Sequence, residues 1–396
     1  RASVNLAISN SGTNVAVSDR IVIDASTNGN VLNDPAADAV TISVFNTGGE
    51  TGLFVSNGID IYTFASSGGP GAALTAGSVS IGADNGEINF ENLYIDTSID
   101  LFSFGEMSAL ATAGNIDLVA QNGGVISGNA ADFYAYTNTE NTFGINAVAA
   151  TTNAQGGSVR ILLEGPSPIS SRMSFADIDF NADGSIAAGA ETTPRFEGNG
   201  GSGFGGDITF DLLGGTFIAG NVVASASGAG GEGGSETALS NGNGNGNVPT
   251  PDLSALVEPM DLSVVNTPTA GGTSAGDGGD GQGGDVTFNL NGGNATVTNL
   301  TISADGFGGN GAYGDILNGT AGGDGGRGIG GNATFNAISG NLTVTNTLSV
   351  SAEANNPASA PYAAYAAGGF GYGSDGGNGG AGIGGTAIFN MTGSAT

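Results

Sequence analysis

One heptapeptide returns four times in the second half of the chain, and a fold must give its copies equivalent places. The copies are Gly205-Gly-Asp-Ile-Thr-Phe-Asp211, Gly283-Gly-Asp-Val-Thr-Phe-Asn289, Gly330-Gly-Asn-Ala-Thr-Phe-Asn336 and Gly384-Gly-Thr-Ala-Ile-Phe-Asn390. Looser versions precede them at Gly77–Ile81, Gly114–Leu118 and Gly156–Leu162. Internal repetition outranks every local signal in reading a sequence. Within each copy, apolar and polar residues alternate, as in Val286-Thr-Phe-Asn-Leu290, which is the period of a strand with one buried face. Gly-Gly, Asn-Gly and Asp-Gly close the strands after a few residues, and no segment sustains a helical period.

Short strands without intervening helices leave a sandwich or barrel on one side and a parallel β-solenoid on the other. The intervals between Phe210, Phe288, Phe335 and Phe389 are unequal, yet each return begins alike, as when insertions leave a stacked coil. The expectation is therefore an all-β, parallel β-helix. Coils of roughly 20–25 residues would give about twelve to sixteen of them, a rod some 60–75 Å long at strand spacing. The organisation expected is a β-solenoid with diffuse repeats over 1–227, a Gly/Asn/Pro-rich excursion over 228–284, and strong repeats over 285–396 interrupted by glycine tracts at 305–331 and 353–385. Those tracts repeat Gly-Gly-x. Two readings stand for them: flexible linker, or threefold extended segments packed backbone to backbone, with Ile329 and Ile383 pinning each to the core.

Composition narrows the function. Against 36 acidic residues stand six basic ones, all arginine, for a net charge of −30, and the 396 residues include 76 glycines and neither His nor Cys. Imidazole triads, Cys/His zinc sites and disulfides are excluded. Nucleic acid is a poor partner without a basic patch. No apolar run reaches the length of a membrane span. A chain without initiator Met that stops inside a repeat reads as a piece of a longer, exported protein, with open ends at residues 1–10 and 385–396.

The Gly-Gly-[Asp/Asn]-[Val/Ile/Ala]-Thr-Phe-[Asn/Asp] motif, the Asn-x-Thr-Val-Thr-Asn segments at 294 and 341 and the glycine tracts resemble the β-strand-repeat exoproteins of Gram-negative bacteria, the filamentous-haemagglutinin-like and autotransporter-type adhesins. That resemblance implies a right-handed β-helix, secretion and display on the bacterial cell surface. The family's Asn-Pro-Asn-Gly-Ile-type secretion motif is not found, so within the family this stretch would be shaft. A non-enzymatic surface fibre that assembles with itself is expected. The alternative is a β-helix carbohydrate-active enzyme or tailspike-like glycan binder.

Two local sites stand out. Asp179-Phe-Asn-Ala-Asp-Gly-Ser-Ile186 fits the opening of a calcium loop, with Asp179, Asn181 and Asp183 as oxygen ligands and Glu191, one residue late, to close it; an Asx-capped turn is the other reading. Tyr362, Tyr365, Phe370 and Tyr372 cluster closely enough to contact a glycan, a host surface or another partner. No cofactor other than Ca²⁺ is indicated. The carboxylate pairs Asp177/Asp179 and Asp96/Asp100 share strand faces.

Overall fold

The computed structural model describes residues 4–9, 14–28, 40–45, 53–67, 74–102, 110–140, 153–165, 171–186, 201–231, 233, 275–312, 314, 321–354 and 378–392. Among them the protein is all-β without a helix. The strands form one 16-stranded sheet and two 7-stranded sheets, and the pairings between described strands are parallel, as in Ser158–Leu163 with Asp207–Leu212 and Asp285–Ser303 with Asn332–Ser351.

The motif copies are direct neighbours. Val79 pairs with Ile116, Ile116 with Val159, Val159 with Ile208 and Ile208 with Val286. Phe288 then follows Phe210, Phe335 follows Phe288 and Phe389 follows Phe335. Like residues therefore stack on like. The four phenyl rings form a column with centroids 5.3, 5.1 and 5.0 Å apart.

A second series runs through the same large sheet: Glu87–Asp96, Arg172–Asn181 and Thr216–Ser225. In Asp285–Ser303 and Asn332–Ser351 the two series merge into single strands of 19 and 20 residues. At the junctions Asn85, Asn122, Gly215, Gly293 and Gly340 take positive φ, which only Gly and Asn tolerate readily. The two series enclose the core between them. Phe210 of the first meets Phe180 of the second edge-on at 4.9 Å, and one cluster of buried residues runs from Ile42 to Ala352.

These two series share every repeat, which corrects the expected coil length. Equivalent residues are 37 apart at Ser78/Asn115, 43 at Asn115/Ser158, 78 at Asp211/Asn289, 47 at Asp285/Asn332 and 54 at Asn336/Asn390. A repeat is thus about twice the expected 20–25 residues, and the stack is correspondingly shorter. Length varies most between the short strands of the two small sheets, where Ala65–Ser67 leads to Leu74–Thr75 but Gly228–Ala229 leads to Gly281–Gln282. It also varies between the two series, where Leu212 is closely followed by Thr216 but its partner Leu163 only after a longer connection by Arg172.

Where the glycine tracts are described they are ordered by backbone hydrogen bonds of period three. Ala275, Gly278 and Gly281 donate to the carbonyls of Ala321, Asp324 and Arg327, while Gly323 and Gly326 donate to Ala312 and Gly309. A Cβ on Gly326 would lie 1.9 Å from the Gly279 carbonyl oxygen, and one on Gly278 2.1 Å from that of Gly309. This is the backbone-to-backbone packing, and over these residues it replaces the flexible-linker reading. The isoleucines do not pin it: Gly328 is buried, but Ile329 is half-buried and Ile383 exposed. In a period-three segment the inward places belong to glycine, so a branched side chain is turned outward.

Two comparisons test this packing. Phe288→Ala should cost about 3–5 kcal/mol of stability in denaturant unfolding, whereas Phe389→Ala, at a half-exposed ring, should cost under about 1.5 kcal/mol. Gly284→Ala, whose Cβ would meet the Gly206 carbonyl oxygen at 1.9 Å, should be severely destabilising. Gly82→Ala, with nothing within 4 Å, should be neutral or stabilising by about 0.5–1 kcal/mol. Equal effects at the two glycines would contradict the stacking.

Candidate functional site

The Gly-Gly pair that opens each motif makes a corner between a small sheet and the large one. Without side chains the chain turns inward there, and Gly206 and Gly284 donate to the carbonyls of Ala182 and Ala226 behind them. The residues on either side keep their side chains. Gln155, Phe204, Gln282 and Ile329 pair in register along one lip, and Ser158, Asp207, Asp285 and Asn332 along the other. The result is a groove with a glycine floor, parallel to the stacking direction.

Over three repeats Asn153, Gln155, Phe204, Asp207, Gln282 and Asp285 line an open cavity of about 390 Å³ above the glycines. Asp207 and Asp285 occupy directly paired positions. Burial and the neighbouring Asp285 charge push the Asp207 carboxyl above its ordinary value, while the Asp285 N–H donates to the Gly206 carbonyl at 3.2 Å. Asp285 Oδ1 accepts the Asn332 amide at 2.7 Å. Phe204, Ser158 and Ile329 are half-buried, and Gln155, Asp207, Gln282, Asp285 and Asn332 are exposed. The groove thus offers a flat ring, neutral amides and two stacked carboxylates, and no cationic group among its lining residues.

A second outward surface lies on the other series. Asp60, Tyr94, Asp132 and Asp179 form one ladder, and Tyr62, Asp96, Tyr134 and Asn181 the ladder two residues on. Tyr94 packs against Tyr62 and Tyr134 at 5.6 and 5.4 Å. Burial raises the Tyr94, Tyr134 and Tyr62 phenols. Asp132 is raised by burial and by Asp177, and Asp179 by burial and by Asp132. Asp60 is held by Arg20 at 2.9 Å.

Of the expected calcium ligands, Asp179, Asn181 and Asp183 stand on alternate, outward positions as the chain leaves Arg172–Asn181 and turns into Gly184–Ile186. The turn is Asx-capped: Asn181 Oδ1 accepts the Asp183 N–H at 3.0 Å. Asp183 faces its neighbour in the stack, accepting from Ser225 Oγ at 2.7 Å and Ser227 N–H at 2.6 Å, and burial raises its carboxyl. Glu191 lies outside the described residues, as do Tyr362, Tyr365, Phe370 and Tyr372. Among the described residues no three acidic side chains are placed to hold a metal ion. Asp177 and Asp179 share the outer face, with Asp177 donated to by the Asn221 amide at 2.6 Å, and no arginine pairs with them among the described residues. The only ion pairs described there join Arg20 to Asp60, Arg160 to Asp211 and Arg327 to Asp280.

Sequence reasoning missed both surfaces. Nothing in the alternation of the motif distinguishes its third residue, Asp207 or Asp285, as a groove lip. The second ladder was legible in Asp60-Ile-Tyr62, Tyr94-Ile-Asp96 and Asp132-Phe-Tyr134, once these are aligned with one another. In comparisons with protein-family models, curated proteins and solved structures, the chain has no match.

The carboxyl shifts set a pH dependence. Asp132, Asp179, Asp183 and Asp207 are raised above 3.8, so the fold binds protons more readily than the unfolded chain and gains stability as pH falls from neutral. Asp24, Asp280 and Asp324 are lowered, so their contribution, present above 3.8, disappears in stronger acid. Tm should rise between about pH 7 and about pH 5 and turn over below about pH 3. A Tm that falls steadily from neutral pH would contradict these environments.

Proposed function

We propose that this chain is a non-enzymatic structural protein, a right-handed parallel β-solenoid forming the shaft of a fibre or adhesin exported to the bacterial surface. The resemblance to filamentous-haemagglutinin-like and autotransporter-type exoproteins supports that setting. One observation carries the reading: each repeat completes the backbone and side-chain hydrogen bonds of the last. The Asn289 amide donates to Asp211 at 2.9 Å, Asn336 to Asn289 at 3.1 Å and Asn390 to Asn336 at 3.2 Å. Such a column has a direction and no inherent length. Its mechanics follow from geometry, since pulling along the axis loads many parallel ladders together.

Self-association would add at the strand Thr386–Met391. Among the described residues it pairs on one side only, and Phe389 and Met391 are half-exposed there. The net charge of −30 favours solubility and opposes lateral clumping.

Electron microscopy of the purified chain tests the reading. Straight rods are expected, with a fibre-diffraction spacing near ~4.7 Å along their length; compact particles without that spacing would refute it. Phe389→Glu should reduce any end-to-end chains while leaving single rods intact. A Tm raised by millimolar Ca²⁺ and restored by chelator would instead favour a calcium-responsive matrix protein.

A further inference from the structure

We propose that the groove over the Gly205-Gly206 and Gly283-Gly284 corners binds an extended, uncharged polysaccharide, running along the stacking direction without cleaving it. Three observations select this ligand. The first is electrostatic: two carboxylates line the groove and no cation does, in a chain of net charge −30, so anionic ligands are repelled.

The second is the pairing of a flat ring with amides and carboxylates. Phe204 stands between Gln155 and Gln282 in adjacent strands, and Asp207 and Asp285 face them across the glycines. An aromatic face takes the C–H side of a pyranose, and amide and carboxylate groups take its hydroxyls, as donors and acceptors in fixed positions. The Asp285 carboxylate is not a bare charge awaiting a cation, because it already accepts the Asn332 amide of the repeat that follows.

The third is the floor. Its N–H groups are spent: Gly205 donates to Gln282, Gly283 to Ile329, and Gly206 and Gly284 to Ala182 and Ala226. A ligand can lie close to this backbone without competing for it, and the lips alone decide what is held. Since the lips repeat every strand, at ~4.8 Å, a polymer gains contacts at each step where a single sugar has one. Asp207 and Asp285 stand on the same lip, opposite Gln155, Phe204 and Gln282, which argues for binding rather than cleavage by two carboxyl groups flanking the ligand.

The test uses the whole chain and cellohexaose, xylohexaose, mannohexaose and maltohexaose, each followed by calorimetry and saturation-transfer NMR. At least one should bind with Kd of about 0.1–3 mM. Phe204→Ala should weaken it about fivefold or more, as should the double change Gln155→Ala with Gln282→Ala, which alters two exposed side chains and should leave Tm within about 2 °C. No binding by any hexaose, or binding that both variants leave unchanged, would overturn the proposal. So would spermine binding that the Gln variant abolishes in the absence of hexaose binding, which would make the occupant a cation.

Discussion

Parallel pairing in strict register leaves each residue one neighbour above and one below, and here the neighbour is the same position of another repeat. A side chain is therefore selected for how it meets its own kind. Phenylalanine meets itself by stacking, and Phe210, Phe288 and Phe335 are fully buried doing so. Asparagine meets itself through one donor and one acceptor, so its column propagates in one sense. An ionised aspartate only accepts, and it can start such a column but not continue it. The observed order agrees: Asp211 precedes Asn289, Asn336 and Asn390, and Asp177 precedes Asn221, Asn299 and Asn346.

The same accounting explains how a segment made largely of glycine is ordered. From Gly323 to Gly328 every N–H has a partner. Gly323 and Gly326 donate to one neighbouring segment, and Gly325 and Gly328 to another. The outward Asp324 and Arg327 donate to the carboxylates of Asp277 and Asp280 in the preceding repeat. Glycine lets the backbones close on each other, and aspartate at every third residue satisfies the group facing out. Without that carboxylate the period-three tract would leave one amide in three to water.

Register was the most legible part of the fold, because the Gly-Gly motif marks one strand in each repeat from Gly156 onward. Its length was not, because the second series carries no such mark. Ile88, Ile126, Met173, Phe217 and Ala295 hold equivalent buried positions with nothing in common but being apolar. The likeness to a calcium loop has a physical origin too. Alternate outward positions on a strand, followed by a glycine at the corner, produce Asp179-x-Asn181-x-Asp183-Gly184 wherever a polar edge turns. The ligand spacing and the strand period are the same number, and only neighbouring repeats tell them apart. The Asp207 groove was hidden for the opposite reason: its parts lie in three distant stretches, and only their pairing brings them to one corner.

A chain so acidic must keep its charges from stacking, since like charges in directly paired positions destabilise a sheet. Most columns do so by alternating aspartate with asparagine, serine or tyrosine, as Asp60, Tyr94 and Asp132 do. Among the paired positions of the described strands, two break this pattern: Asp132 sits directly beside Asp179, and Asp207 beside Asp285. In each pair the repulsion and the loss of water leave a carboxyl above its ordinary value. Asparagine would serve the stack better at all four positions, as Asn289 and Asn336 show two outward columns further along the same strands. Stability does not account for these carboxylates, and one of the two pairs lies in the lined groove, where a ligand's hydroxyls would give it something to hold.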